Sequence, residues 1–156
     1  MGFYQLHRTQ KIPASIDQVW KFISAPENLK RITPPEMGFE ITSAKNRKEM
    51  YEGMIISYRV KPLFNISTLW VTEITKVKNK HYFVDEQRIG PYKMWHHEHW
   101  IKEMEGGVLM TDIVSYQPPF GFLGSIANAL LIRKKLKQIF DFRTQVLEEI
   151  FGEFKS

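Results

Sequence analysis

Two periods divide this chain. As far as Gln117 most apolar residues alternate with polar ones, as strand side chains do, and beyond Pro118-Pro119 they recur every three or four positions, as on one face of a helix. FYQLHRTQKI (Phe3 to Ile12) predicts a first strand that ends at Pro13. Ser15 then stands as the cap of a helix through Val19, Trp20 and Ile23, and Ala25-Pro26-Glu27-Asn28 restarts a second short helix through Leu29 and Ile32 that Pro34-Pro35 stops. Six further strands are predicted, at about Phe39 to Ala44, Tyr51 to Lys61, Ile66 to Lys78, His81 to Arg88, Tyr92 to Met104 and Val108 to Gln117. Turn signals separate them at Lys45-Asn46-Arg47, Pro62-Leu63-Phe64-Asn65, Lys78-Asn79-Lys80, Gly90-Pro91 and Gly106-Gly107. Such short connections imply antiparallel neighbours in one curved sheet. The final helix is expected from about Leu123 to Phe151, with an apolar stripe of Ile126, Ala129, Leu136, Phe140, Leu147, Ile150 and Phe154 facing the sheet. Arg133 and Arg143 fall on that stripe, where the spacing asks for hydrophobes.

The stretch FVDEQRIGPYKMWHHEHW (Phe83 to Trp100) reads as a hairpin whose inward face is unexpectedly polar. Trp95, His97, His99 and Ile101 project to one side, while Met94, His96, Glu98 and Trp100 project to the other, toward the surface. On the next strand Val108, Met110, Asp112, Val114 and Tyr116 share a face. A loop of Met104-Glu105-Gly106-Gly107 flanked by Glu103 and Val108 sets His99 opposite Asp112 and Ile101 opposite Met110. Two imidazoles and a carboxylate among large apolar groups cost several kcal/mol to bury without partners, which argues for a lined cavity.

Composition narrows the picture. The chain has 156 residues, enough for one domain spanning 1–156, and its 13% aromatic content favours a bulky core or an aromatic-lined pocket. It has no cysteine, which excludes disulfide and thiolate chemistry and agrees with a cytoplasmic location. MGFYQLHRTQKIP lacks the apolar core of a signal peptide, and FGFLGSIANALLI is too short and too interrupted to span a bilayer. The net charge of +5 permits contact with acidic surfaces, but apart from Arg133-Lys134-Lys135 and Lys137 the basic residues are scattered, so no nucleic-acid partner and no stable membrane insertion are expected.

The order strand, two short helices, six strands and long C-terminal helix resembles the helix-grip fold of the START-like, or SRPBCC, superfamily. Pro13-Ala14-Ser15 with Val19-Trp20, Asn28-Leu29 and Thr33-Pro34-Pro35 look like its opening helices. Phe83-Val84-Asp85-Glu86-Gln87, Gly90-Pro91-Tyr92, Trp95, His97, His99, Asp112, Tyr116, Pro119-Phe120-Gly121, Leu123-Gly124, Phe140 and Arg143 resemble a bacterial ligand-binding subgroup related to polyketide cyclase/dehydratases. The resemblance covers nearly the whole chain, with Trp100 standing where a Phe is usual. It implies an α+β protein in which a curved antiparallel sheet of about seven strands wraps the last helix and leaves a cavity. Members of the superfamily bind sterols, lipids, polyketides, hormones and flavonoids, and others are enzymes.

On that architecture a five-residue loop from Ile89 to Lys93 would pair Gln87 with Trp95 and Asp85 with His97. Phe83, Asp85, Gln87, Trp95, His97, His99, Asp112 and Tyr116 would line one wall, Trp70 with Ile66 and Ile74 would extend it, and Phe140 and Arg143 would face it from the helix. Four uses of the cluster are open. Asp85 or Asp112 holds Arg143 in a buried ion pair; the network orients one polar group of an otherwise apolar ligand; a His held by an Asp acts as general base, with Arg143 or Tyr116 on the oxyanion, which makes His97, His99 and Asp112 the catalytic candidates; or His97, His99 and Asp112 ligate a metal. A carboxylate–histidine network explains the same residues without an ion, so no metal or other cofactor is expected. The apolar turn Pro118-Pro119-Phe120-Gly121-Phe122 stands as a lid or an entrance, and the basic turn of the helix as a weaker candidate for membrane or nucleic-acid contact.

Overall fold

The computed structural model describes residues 2–43, 49–62 and 64–155. Strand β1 (Tyr4–Ile12) leads into helix α1 (Ile16–Ile23), and two single-turn 3₁₀ segments follow at Pro26–Leu29 and Pro35–Met37. Then come β2 (Glu40–Ile41), β3 (Ile55–Val60), β4 (Thr68–Lys78), β5 (Tyr82–Ile89), β6 (Met94–Met104) and β7 (Gly107–Gln117). The chain closes with α2 (Gly121–Ala127), a π turn (Asn128–Ile132) and α3 (Arg133–Phe151). The seven strands form one antiparallel sheet in the order β1-β7-β6-β5-β4-β3-β2, so β1 lies beside β7 at one edge and short β2 closes the other. This is the helix-grip architecture.

Local chemistry sets the ends of the elements. The Ser15 hydroxyl accepts from the Gln18 N–H while the Gln18 side chain accepts from the Ser15 N–H, a reciprocal cap worth about 1 kcal/mol. β6 and β7 pair through Met104 and Gly107, so the turn between them is only Glu105-Gly106, tighter than the expected four-residue loop, while the expected register is kept. β2 is shorter than Phe39 to Ala44, with Ala44 outside the described residues, and β3 starts at Ile55 because the chain turns at Gly53 with φ 87°. Ile66 was expected on the inner wall beside Trp70, but it precedes β4 and is exposed. Of the expected turns, Lys45-Asn46-Arg47 and Leu63 lie outside the described residues, whereas Phe64 and Asn65 both take positive φ.

The inner face of the sheet and the last helix share the core. Leu136, Phe140 and Leu147 of α3 are buried against it, each contributing about 1.5–3 kcal/mol by the area it removes from water. Nearer the N-terminal end of this helix the buried positions are Gly124, Asn128 and Ile132, not the expected Ile126 and Ala129. The π turn is the cause: its extra residue rotates everything before it, so a stripe extrapolated back from Leu136 with α-helical spacing lands on the wrong face. Arg133, the first residue of α3, is exposed, while Arg143, further along the same helix, faces inward as expected.

Candidate functional site

β5, β6 and β7 present the polar cluster to the concave side. The ladder sets Asp85 opposite His97 and His99 opposite Asp112, as the loop lengths imply. His97 Nε2 lies 2.8 Å from Asp112 Oδ1 and its Nδ1 3.6 Å from Asp85 Oδ2. His99 Nε2 lies 2.7 Å from Asp85 Oδ2, and its Nδ1 3.1 Å from Asp112 Oδ1. Arg143 reaches down from α3 and donates from Nη1 to Asp112 Oδ1 at 3.1 Å, so Asp112 is the carboxylate that takes the helix arginine.

Protonation follows from these partners. Both nitrogens of His99 face a carboxylate oxygen at hydrogen-bonding distance, which calls for the doubly protonated ring. Burial opposes that charge, but the hydrogen bonds to Asp112 and Asp85 outweigh it and hold the His99 pKa above its ordinary value. Burial and the neighbouring His99 charge push His97 the other way, down to about 4, so its ring is neutral and donates from Nε2 to Asp112. Burial would raise both aspartates; Arg143 and the hydrogen bonds from the two histidines overcome it at Asp112, and the His99 hydrogen bond with the charges of His99 and Arg143 overcomes it at Asp85. Asp85, Asp112, His99 and Arg143 thus sum to zero charge, and His97 completes the network as a neutral donor. The rings are packed as well: Phe83 stacks on His99 at 4.1 Å, His99 lies 3.7 Å from His97, and the Arg143 guanidinium lies 4.8 Å over Phe140.

Beside this network lies a cavity of about 130 Å³ between the sheet and α3. Eight of the eleven expected site residues line it: Trp70, Phe83, Asp85, Trp95, His97, His99, Phe140 and Arg143. Three do not. Asp112 stands behind the histidines and holds them. Gln87 is not paired with Trp95, since the β5–β6 ladder ends at Glu86 and His96; it clamps the β5–β6 turn, donating to the Tyr92 carbonyl at 2.7 Å and accepting from the Tyr92 N–H at 3.2 Å. Tyr116 donates to Asn128 Oδ1 at 2.7 Å and ties β7 to the π turn. His96 is on the outer face, paired with Glu86 at 2.8 Å. Sequence reasoning missed, among others, Met37, Phe39, Ile56, Tyr58, Val60 and Ile139, which also line the cavity. Tyr58 and Val60 alternate on β3 and Ile139 adjoins Phe140, signals open to a reading of those elements, but Met37 and Phe39 sit in irregular backbone with no period.

Among the described residues Asp85, His97 and His99 are the set able to hold a metal ion, their ligand atoms lying within 4.8 Å of one another. Two of those atoms already form the 2.7 Å charge-assisted bond between His99 and Asp85, and Asp112 belongs to the layer behind. The hydrogen-bonded network accounts for all four side chains.

No family model matches the chain, and no curated protein resembles it in sequence. Solved structures do resemble it in fold. A solution structure of a protein from Arthrobacter aurescens superposes with a TM-score of 0.70 at 13% identity, over 93% of this chain and 86% of the other. Major latex-like protein 151 from Panax ginseng gives 0.67 at 11% identity, covering 96% and 97% of the two chains, and Ara h 8.0201 gives 0.64 at 11%, covering 96% and 98%. The chain therefore shares the helix-grip fold of these structures. No described helix is long and apolar enough to cross a membrane.

Proposed function

We propose that this protein binds a small, largely apolar molecule carrying an oxygen acceptor in the cavity between the sheet and α3. One observation carries the reading: the buried Trp70 indole N–H, on a residue of the cavity wall, has no hydrogen-bond partner among the described residues. Arg143 Nε, in the same wall, is buried and likewise without a partner among the described residues. An unmet buried donor costs about 1–3 kcal/mol, which a carbonyl, carboxyl or hydroxyl oxygen of a ligand recovers. Both unmet groups are donors, so the ligand is the acceptor. Phe39, Tyr58, Trp95, Ile139 and Phe140 supply apolar contact. At about 130 Å³ the space suits a single aromatic ring, since a dry cavity of roughly 150 Å³ holds benzene. A lipid or polyketide requires the walls to move.

The enzymatic alternative, a cyclase or dehydratase with a His–Asp general base, rests on the same residues. His99 with both nitrogens protonated has no lone pair to offer, and His97, pushed down to about 4, is a weak base at neutral pH. This favours binding over catalysis and gives the network an orienting role. The test compares acetophenone with ethylbenzene, which has CH₂ in place of the carbonyl, by thermal shift and calorimetry. Acetophenone is expected to bind about fivefold more tightly, the yield of one net hydrogen bond, and Trp70→Phe to remove that difference. If neither compound stabilises the protein, or if the preference survives Trp70→Phe, the reading fails.

A further inference from the structure

We infer that one end of this protein docks reversibly on an anionic lipid bilayer. The ladder brings several segments to that end. Tyr4 pairs with Tyr116 and Met94 with Gln117, while Thr68 pairs with Val60 and Ile89 with Val71. The chain before β1, the β3–β4 turn, the β5–β6 turn and the β7–α2 turn therefore share a rim. Its side chains are apolar and turned outward. Phe120 is 82% exposed, Phe122 71%, Phe64 74% and Leu130 68%, and Phe3, Ile66, Leu123 and Ile126 are exposed with them.

This exposure is built into the backbone. Phe120 and Gly121 take successive left-handed conformations, φ 65° and 54°, which reverse the chain at once into α2. The turn is pressed so closely onto the helix that a Cβ on Gly124 would lie 1.9 Å from the Pro119 carbonyl oxygen. The π turn then fixes Gly124 and Asn128 inward, Asn128 through its bond from Tyr116, and leaves Ile126 and Leu130 outside.

Charge decides what covers the face. Segments 2–10, 61–67, 88–95 and 113–140 contain no Asp or Glu at all. They do contain Lys61, Lys93, Arg133 and Lys134, and neither Arg133 nor Lys134 has a carboxylate partner among the described residues. Glu36, near the helix, is taken up by Lys135 at 3.8 Å. An apolar surface with aromatic and leucine side chains, edged by cations and free of carboxylates, complements anionic headgroups over acyl chains. A second copy does not satisfy it, because two such faces would set cation against cation with no acid between them. The docking is peripheral and requires no spanning helix. Pro62 and Tyr92 of the rim also line the cavity, so docking sets that end of the cavity against the bilayer.

Co-sedimentation of the whole protein with phosphatidylcholine vesicles, with and without phosphatidylserine, tests this at low and at physiological ionic strength. Binding is expected to the serine-lipid vesicles and to weaken with salt. Phe122→Asp with Leu130→Asp should cut it by about tenfold or more, and Arg133→Glu with Lys134→Glu by roughly fivefold or more for each charge. All four positions are exposed, so the variants are expected to melt with the wild type. The proposal is overturned if the protein ignores serine-lipid vesicles, if both double variants bind as the wild type does, or if the protein forms a dimer that Phe122→Asp dissolves.

Discussion

His97 and His99 stand two residues apart on one strand, and their surroundings drive them in opposite directions. That difference makes stability depend on pH with a definite sign. In the unfolded chain an imidazole takes up a proton near pH 6.5; folded His97 does so only at about 4. Its contribution therefore declines as pH falls from about 6.5 to about 4, by roughly 3 kcal/mol. His99, held above its ordinary value, contributes fully below about pH 6.5 and loses that contribution as pH rises through its folded pKa. Asp85 and Asp112, both lowered, contribute above their ordinary value and lose it below. Urea unfolding across pH is expected to show a maximum near pH 6.5, with His97→Gln flattening the acid limb between 6.5 and 4 while the decline above 6.5 persists. An unchanged acid limb in that variant would mean that His97 is not the neutral ring. At this scale the sequence was legible wherever period and loop length act alone, which is why Asp85 opposite His97 and His99 opposite Asp112 were readable. Which aspartate takes Arg143 was not, because that depends on where α3 crosses the sheet. Nor was the clamp that Gln87 makes on Tyr92, because the β5–β6 ladder ends at Glu86 and His96, one pair short of the expected Gln87 and Trp95.

Among the elements, the strands were easier to read than the last helix. Alternation and turn residues placed all seven strands to within a few positions, but not the pairing of β1 with β7 at the sheet edge. The π turn at Asn128–Ile132 carries no Gly or Pro to mark it, and a three-four count passes through it unaware. It explains both the misplaced stripe and the buried Asn128, whose acceptor the Tyr116 hydroxyl needs. If the extra residue is local to this turn, deleting Leu130 should convert it to α-helix and leave the flanking faces in place. Little stability should then be lost. Deleting Gln138 instead breaks the phase between Leu136 and Phe140 and is expected to cost several kcal/mol, on the scale of emptying a core position. Equal losses for the two deletions in chemical denaturation would contradict this view of the helix.

For the molecule as a whole, the sheet and the last helix are joined by two unlike contacts. Arg143 on Asp112 anchors the helix from the cluster side, and the apolar contacts of Leu136, Phe140 and Leu147 hold it along its length. Between these holdfasts the packing stops short, leaving the cavity. The existence of that cavity was legible from too many polar groups on an inner face, but its modest size and its unmet donors were not, since both depend on the curvature of the sheet. The most direct measurement is a crystal of the protein soaked with 4-bromoacetophenone, read by the anomalous signal of bromine. We expect one bromine site among Phe39, Tyr58, Ile139 and Phe140, with the ketone oxygen within hydrogen-bonding distance of Trp70 Nε1. A map in which bromine is absent from the space between sheet and α3, with side chains closing it, would contradict the central claim.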